Sequence, residues 1–319
     1  MAATPRTDRH PSDIHEHCPH QPRANSSEPG ATIHPSFHFD DADTILCSKD
    51  GINFHVYRIC LKLSSGWFRS LYTLPQSSSS SNGGHHGDNT AETLFMDESA
   101  DTLTVLLSVA HAQDVPSLDS ISHVETVVHA AEKYDMPGVL SYVRQGVLRF
   151  VRQEPVRVYA LACRWGWIEE AKMASSHTVG LDLLSSSIRP TLNIMDSEDL
   201  ARLLHLHRRR RDCLRERLDS EEVFYANVIP SRCQNPTCNA EVIHDKWHQL
   251  KYRWVTAIDC EPALFASRTA LLEGSEVLEV INFKCARCIK KQYNTESTLA
   301  NLRNLLDELP QTVEFDEKS

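Results

Sequence analysis

Apolar and polar residues alternate most clearly near the start of the chain, where Ile52, Phe54 and Val56 are separated by Asn53 and His55. A two-residue period is that of a strand with one buried face. The preceding run, Asp43-Thr-Ile-Leu-Cys-Ser48, reaches it through Lys49-Asp50-Gly51, and Asp-Gly supplies the positive-φ chemistry of a hairpin turn. Ile59, Leu61 and Leu63, then Trp67, Phe68 and Leu71, predict short helical segments on either side of Ser64-Ser65-Gly66, and Thr93-Leu-Phe-Met96 predicts a short strand. From there the period lengthens to that of helices. Leu103, Leu106, Leu107 and Ala110 form one stripe. Ser122-x-x-Glu125 has the form of a capping box for a helix carrying Val124, Val127, Val128 and Ala131. Pro137 opens a further helix through Val139, Tyr142, Val143, Val147 and Phe150.

Beyond residue 150 the pattern stays helical. Pro155 suits a first helical turn, and Val158, Leu161, Ala162 and Trp165 share a face before Gly166 breaks it and Trp167 restarts it. Helical spacing with Leu and Ala places the two tryptophans in a core, with interaction anchors as the alternative. Asp196-x-x-Asp199 starts a longer helix through Leu200, Leu203, Leu204, His207, Leu214 and Leu218. The last third is mixed. It contains Trp247, Leu250, Tyr252 and Trp254, an apolar stretch from Ala263 to Leu272, a strand candidate at Val277–Phe283, a final amphipathic helix bearing Leu299, Leu302, Leu305, Leu306 and Leu309, and an acidic tail of Glu314, Asp316 and Glu317. Two tracts lack any period. Residues 1–36 are rich in Pro, Ser and His, and 76–91 contain a serine run followed by Asn-Gly-Gly-His-His-Gly; both read as disordered or flexible. The imidazoles of His10, His15, His17, His20, His34 and His38 in or beside this tract, with Cys18 among them, leave a metal-binding tail as the alternative for the first tract.

Composition narrows the class. Of 319 residues, 41% are hydrophobic, enough for a sizeable core, and no apolar run approaches the roughly 20 residues of a membrane-spanning helix. The opening residues lack the apolar centre of a secretory signal, so an intracellular chain, cytoplasmic or nuclear, is expected. A net charge of −10, from 43 acidic and 33 basic residues, argues against a general nucleic-acid binder. Ten cysteines in such a chain read as thiols or metal ligands, not as a disulfide framework.

The string Asp41-Ala-Asp43-Thr-Ile-Leu-Cys-Ser-Lys-Asp-Gly51, then Phe54-His-Val-Tyr-Arg58, then Leu61-x-Leu63-x-Ser65-x-x-Phe68, resembles the opening of a BTB/POZ domain. The wider pattern, including Arg157-Val-Tyr-Ala-Leu-Ala-Cys-Arg-Trp-Gly-Trp167 and Leu203-Leu-His-Leu-His-Arg-Arg-Arg-Arg-Asp212, resembles fungal members of that family. Tyr57 stands where the family usually has His, and Ser108-Val-Ala-His-Ala112 departs from its common Y-x-Y-T-G-like string. The resemblance implies an α+β fold and a protein-binding role. It also implies homodimerisation across a charged groove flanked by Asp43 and Lys49, and recruitment of a cullin-type ubiquitin-ligase scaffold as one common activity. The alternative for the two charges is a solvated strand start and turn.

Two further features carry chemistry. Arg208, Arg209, Arg210 and Arg211, with Arg215 and Arg217, read either as a nuclear signal or phosphate-contacting helix, or as the solvated face of an amphipathic helix paired to nearby acids. Cys233-x4-Cys238 and Cys285-x2-Cys288 bring two close thiolate pairs, the arrangement of a tetrahedral four-sulfur zinc site. His244 and His248 could instead join the first pair, and ordinary thiols are the remaining alternative. Cys47, Cys60, Cys163, Cys213 and Cys260 stand alone and read as small buried apolar residues. No phosphate-cradling glycine loop, Gly-x-Ser-x-Gly elbow or His-Glu-x-x-His helix is present, so no enzyme is expected. The expected organisation is an arm at 1–36, a BTB/POZ-like α/β domain at 37–150, a helical extension at 151–218, and a small mixed unit at 219–319, zinc-stabilised through Cys233, Cys238, Cys285 and Cys288. The expected function is a non-enzymatic adaptor, without membrane or nucleic-acid partners. The alternative is a nuclear transcription regulator using the basic helix and the cysteine unit.

Overall fold

A computed structural model describes residues 32–74, 92–228 and 230–315. The serine-rich stretch 76–91, His10, His15, His17, His20 and Cys18 of the expected arm, and the last acidic residues Asp316 and Glu317 lie outside the described residues. The described chain is α+β, with a mixed four-stranded sheet near its N-terminus and a mostly helical remainder.

The strands are β1 (Thr32–His38), β2 (Thr44–Cys47), β3 (Ile52–Val56) and β4 (Glu92–Phe95), in the order β1-β3-β2-β4. β2 and β3 form the expected antiparallel hairpin, pairing Leu46 with Phe54, and both outer strands run parallel to their neighbours. Gly51 has φ +83°, a conformation open to Gly and strained for other residues, and Ser48 accepts the Ile52 N–H on its hydroxyl. β1 begins at Thr32, inside the stretch read as arm. Phe37 explains the difference: it is completely buried against Phe54, and His34 stacks on the same ring at 4.6 Å. One aromatic and one imidazole among prolines and serines are too sparse to show a period, yet they close one side of the core.

Against the sheet pack α1 (Arg58–Ser64), α2 (Gly66–Leu71), α3 (Ala100–Ala110), α4 (Ile121–Lys133) and α5 (Pro137–Gly146). Two hairpin carboxylates hold helix starts from a distance. Asp43 accepts the Arg58 N–H at 2.6 Å, where Tyr57 offers α1 no side-chain cap, and Asp50 accepts the Ala100 N–H at 2.8 Å. The Ser65 hydroxyl accepts the Phe68 N–H and donates to the Tyr134 carbonyl, drawing the start of α2 onto the end of α4. A Cβ at Gly66 would meet the Asp135 carboxylate at 1.8 Å, so a larger residue there needs that side chain to move.

The cap of α4 is Ser120, whose hydroxyl accepts the His123 N–H, and not Ser122. Ser122 and Glu125 face α6 (Pro155–Arg164) instead, where both bind Arg157, at 3.0 and 2.6 Å. α6 and α7 (Ile168–Thr178) form the expected pair around Gly166, with Trp167 buried and Trp165 half-buried. A short α8 (Arg189–Asn193) precedes the long α9 (Ser197–Leu218), which Asp196 caps through the Glu198 N–H. One apolar core runs without a break from Phe37 through the residue 150 boundary to Leu206.

A second core lies beyond it, built from the end of α9, α10 (Asp245–Cys260), α11 (Arg268–Leu272), α12 (Ser275–Ile281) and α13 (Thr295–Asp307). α12 occupies the expected strand at Val277–Phe283. Val277, Val280 and Ile281 are buried at helical spacing, whereas strand geometry would carry Glu279 inward on the same face. Glu279 is instead exposed and pairs with Lys246. Among the lone cysteines Cys260 is exposed, while Cys47, Cys60, Cys163 and Cys213 are half-buried, so full burial does not hold for them. No helix among the described residues is long and apolar enough to cross a membrane.

Phe37→Ala should lower stability by about 3–5 kcal/mol, the usual cost of emptying a phenylalanine site in a core. Urea denaturation checks this, and an unchanged midpoint would contradict the place of β1 in the sheet.

Candidate metal centre

The two cysteine pairs sit on two short hairpins of the same construction. In the first, Arg232 bridges Glu241, and the Cys233 N–H donates to the Ala240 carbonyl at 2.8 Å. In the second, Lys284 bridges Lys291, and the Cys285 N–H donates to the Lys290 carbonyl at 3.0 Å. Each turn reverses immediately after its second cysteine, at Asn239 (φ +45°) and Ile289 (φ +61°). Asn tolerates that conformation, whereas a β-branched residue is strained in it.

The hairpins face each other so that the sulfurs interleave. Cys233 Sγ lies 3.5 Å from Cys288 Sγ, Cys238 Sγ lies 3.9 Å from Cys285 Sγ, and all four fall within 4.8 Å of one another. A zinc–sulfur bond of about 2.3 Å gives a tetrahedron with edges of about 3.8 Å, which these separations bracket. Cys233 and Cys285 are buried and the other two half-buried, in a small apolar cluster with Val242, Ala240 and Phe283.

Backbone N–H groups lie close to the sulfurs, with the Asn235 N–H donating to Cys233 Sγ at 3.4 Å and the amides of Ala240, of Cys288 and Arg287, and of Lys290 favouring the thiolates of Cys238, Cys285 and Cys288 in turn. The amides of Lys290 and, for Cys285, of Cys288 and Arg287 pull those thiols below their ordinary range, Cys288 to about 6. Cys238 goes the other way. The Ala240 N–H favours its thiolate, but burial and the other three sulfurs outweigh it and hold the thiol up at about 11. Four thiols this close cannot all ionise together without a cation, and a divalent ion removes that conflict. The donor set and geometry therefore fit a structural zinc held by Cys233, Cys238, Cys285 and Cys288. Four thiolates around a divalent ion carry a net charge of −2. The exposed side chains of Arg232, Lys284, Arg287, Lys290 and Lys291 offset it. Four protein ligands would leave no open position for water or substrate, the arrangement of an ion that cross-links the chain.

Neither histidine joins the cluster. His244 is buried at the start of α10, with Nε2 2.8 Å from the Ser231 hydroxyl and Nδ1 2.6 Å from the Tyr293 hydroxyl. Burial, then the neighbouring His248, lowers its pKa, while burial raises that of Tyr293. A neutral imidazole thus joins both hairpins to α10, while His248 is exposed. Gln292 also braces the pair. Its amide donates to Cys233 Sγ at 3.4 Å and its oxygen accepts the Gln234 N–H at 3.1 Å. Gln292 and His244 could not be assigned from spacing alone, because their role depends on the second hairpin folding back.

The other predicted residues are distributed differently. Asp43 and Lys49 flank opposite ends of β2, about 20 Å apart along an extended chain, with Asp43 occupied by the α1 start and Lys49 exposed. In the arginine run, Arg208 faces Asp212 at 3.6 Å, Arg209 pairs with Glu314 at 2.5 Å, and Arg211 bridges Asp212 and Asp259, both at 3.0 Å. Arg210 points inward and donates to the Pro310 carbonyl.

Purified protein should carry one zinc per chain with four sulfur ligands, read by metal analysis and X-ray absorption. Cys285→Ser should abolish stoichiometric zinc, and Gln292→Ala should weaken binding by about 10–100-fold. Zinc binds thiolates and protons compete for them, so zinc should be retained at about pH 7 and released toward about pH 5, followed with a chromophoric chelator. Ile289→Gly should stabilise the metal-loaded protein by about 1 kcal/mol by relieving the left-handed isoleucine. No protein-family model matches this chain, and no curated protein does.

Proposed function

We propose that this chain is a non-enzymatic adaptor that binds protein partners through its N-terminal α+β unit, while the thiolate cross-link holds a second, C-terminal unit in shape. The observation that carries the reading is apolar surface left uncovered on that N-terminal unit. Ile59 and Leu63 lie one turn apart on α1, opposite the buried Leu61, and are 58% and 73% exposed. Leu74, which follows α2, and Phe95 on edge strand β4, 82% exposed, extend the set of uncovered apolar side chains. Single exposed apolar residues are ordinary, but an exposed i, i+4 apolar pair on one short helix, with further exposed apolar side chains elsewhere on the same unit, suits a protein interface.

The resemblance to BTB/POZ domains favours a second copy of the chain or a cullin-type scaffold as the partner. The arginine run lends little support to a nucleic-acid role, since Arg209, Arg210 and Arg211 are engaged within the chain.

Light scattering coupled to size exclusion should find a dimer that Ile59→Asp with Leu63→Asp converts to monomer, while the circular dichroism spectrum stays unchanged. Capture of a cullin-type scaffold by the full chain, lost in the same double variant, supports the adaptor role. A monomer that retains no such scaffold would sink this reading.

A further inference from the structure

Where α7 and α9 meet the C-terminal helices, a cavity of about 320 Å³ opens, lined among others by Ser176, Arg210, Phe265, Arg268, Leu306 and Leu309. That volume lies at the lower end of small-molecule sites. Arg210 is only 4% exposed, unlike the three arginines around it. Those three face carboxylates, whereas Arg210 has a neutral partner, the Pro310 carbonyl at 2.5 Å, and its Nε has none among the described residues. A carbonyl dipole does not offset a buried cation, and such a charge is expensive unless an anion completes it. Arg268 brings a second guanidinium to the same cavity, but its charge is matched by Asp307. Burial, then the Arg268 cation, lowers the Arg210 pKa to about 10, which leaves it charged at neutral pH. One positive charge at the cavity is therefore uncompensated, beside an apolar wall of Phe265, Leu306 and Leu309.

We propose that this cavity binds a small organic carboxylate, whose two oxygens take the Arg210 guanidinium while its apolar body lies against Phe265, Leu306 and Leu309. The planar guanidinium matches a carboxylate in a two-oxygen fork. A monoanion closes the charge, whereas a phosphate dianion would leave an excess negative charge beside Asp307. Because the walls come from both α7–α9 and the C-terminal unit, the ligand bridges the seam between the two cores.

The fluorine NMR signal of 4-fluorobenzoate, titrated with the full chain, reads the site. The native chain should broaden the signal, and both Arg210→Met and Ala266→Trp should weaken binding at least about tenfold, the equivalent of about 1.4 kcal/mol. Ala266 lies exposed at the cavity wall, so the tryptophan fills the space without touching Arg210's charge. If Arg210→Met does not fold, Ala266→Trp decides alone. Acetate should displace the probe better than inorganic phosphate at equal ionic strength. Displacement by phosphate in preference to acetate overturns the carboxylate class. No broadening by the native chain, or equal broadening by the folded variants, overturns the site.

Discussion

One helix has to serve two cores at once, and the arrangement of the described chain follows from that constraint. Leu203 and Leu206 of α9 close the N-terminal core, and Leu214 and Leu218, two to four turns on, open the C-terminal one. Between them lie four consecutive arginines, which cannot all be solvated once apolar masses gather at both ends. Three turn outward to carboxylates, and Arg210 is drawn inside to the Pro310 carbonyl. The chain after α13 then returns to the first core, burying Val313, whose N–H donates to the Ser175 hydroxyl at 3.0 Å. Helix and returning strap together fix how the two cores meet.

The thiolate cluster does for the second core what mass does for the first. The C-terminal unit is small, and its helices α10 to α12 lie between the two cysteine hairpins in sequence. Tying Cys233 and Cys238 to Cys285 and Cys288 through one ion closes that intervening segment into a loop and restricts the unfolded chain. The His244 bonds to Ser231 and Tyr293 then set the hairpins against the start of α10. An ion held this way acts as a rivet, and the chemistry of its ligands makes the rivet sensitive to acid.

Much of the fold was legible where a local signal had no competitor. The β2–β3 hairpin follows from alternation plus Asp50-Gly51, and α5 and α6 follow from a proline in the first turn and helical spacing behind it. Legibility failed where one residue type serves two purposes. Ser122 and Glu125 have the form of a capping box, but Arg157 of α6 claims both, and Ser120 caps α4 instead. The Val277–Phe283 run is rich in β-branched residues, yet the surface it must cover buries Val277, Val280 and Ile281 together, a spacing that only a helix provides. β1 was hidden because a parallel edge strand needs few apolar residues when Phe37 fills the core and His34 stacks on Phe54.

The metal centre divides in the same way. Sequence by itself determined that two thiolate pairs exist at ligand spacing, since spacing within a pair is local and the coordination demands of zinc are general. It also determined that the chain carries enough apolar residues for a core and a marked run of positive charge. Only the tertiary structure decided that the sulfurs interleave across two hairpins, that Gln292 and His244 brace them, and which arginine is buried. Those outcomes depend on elements dozens of residues apart being packed together, and burial, which sets the energy of a charge or a thiol, is a property of that packing and not of any local stretch of chain.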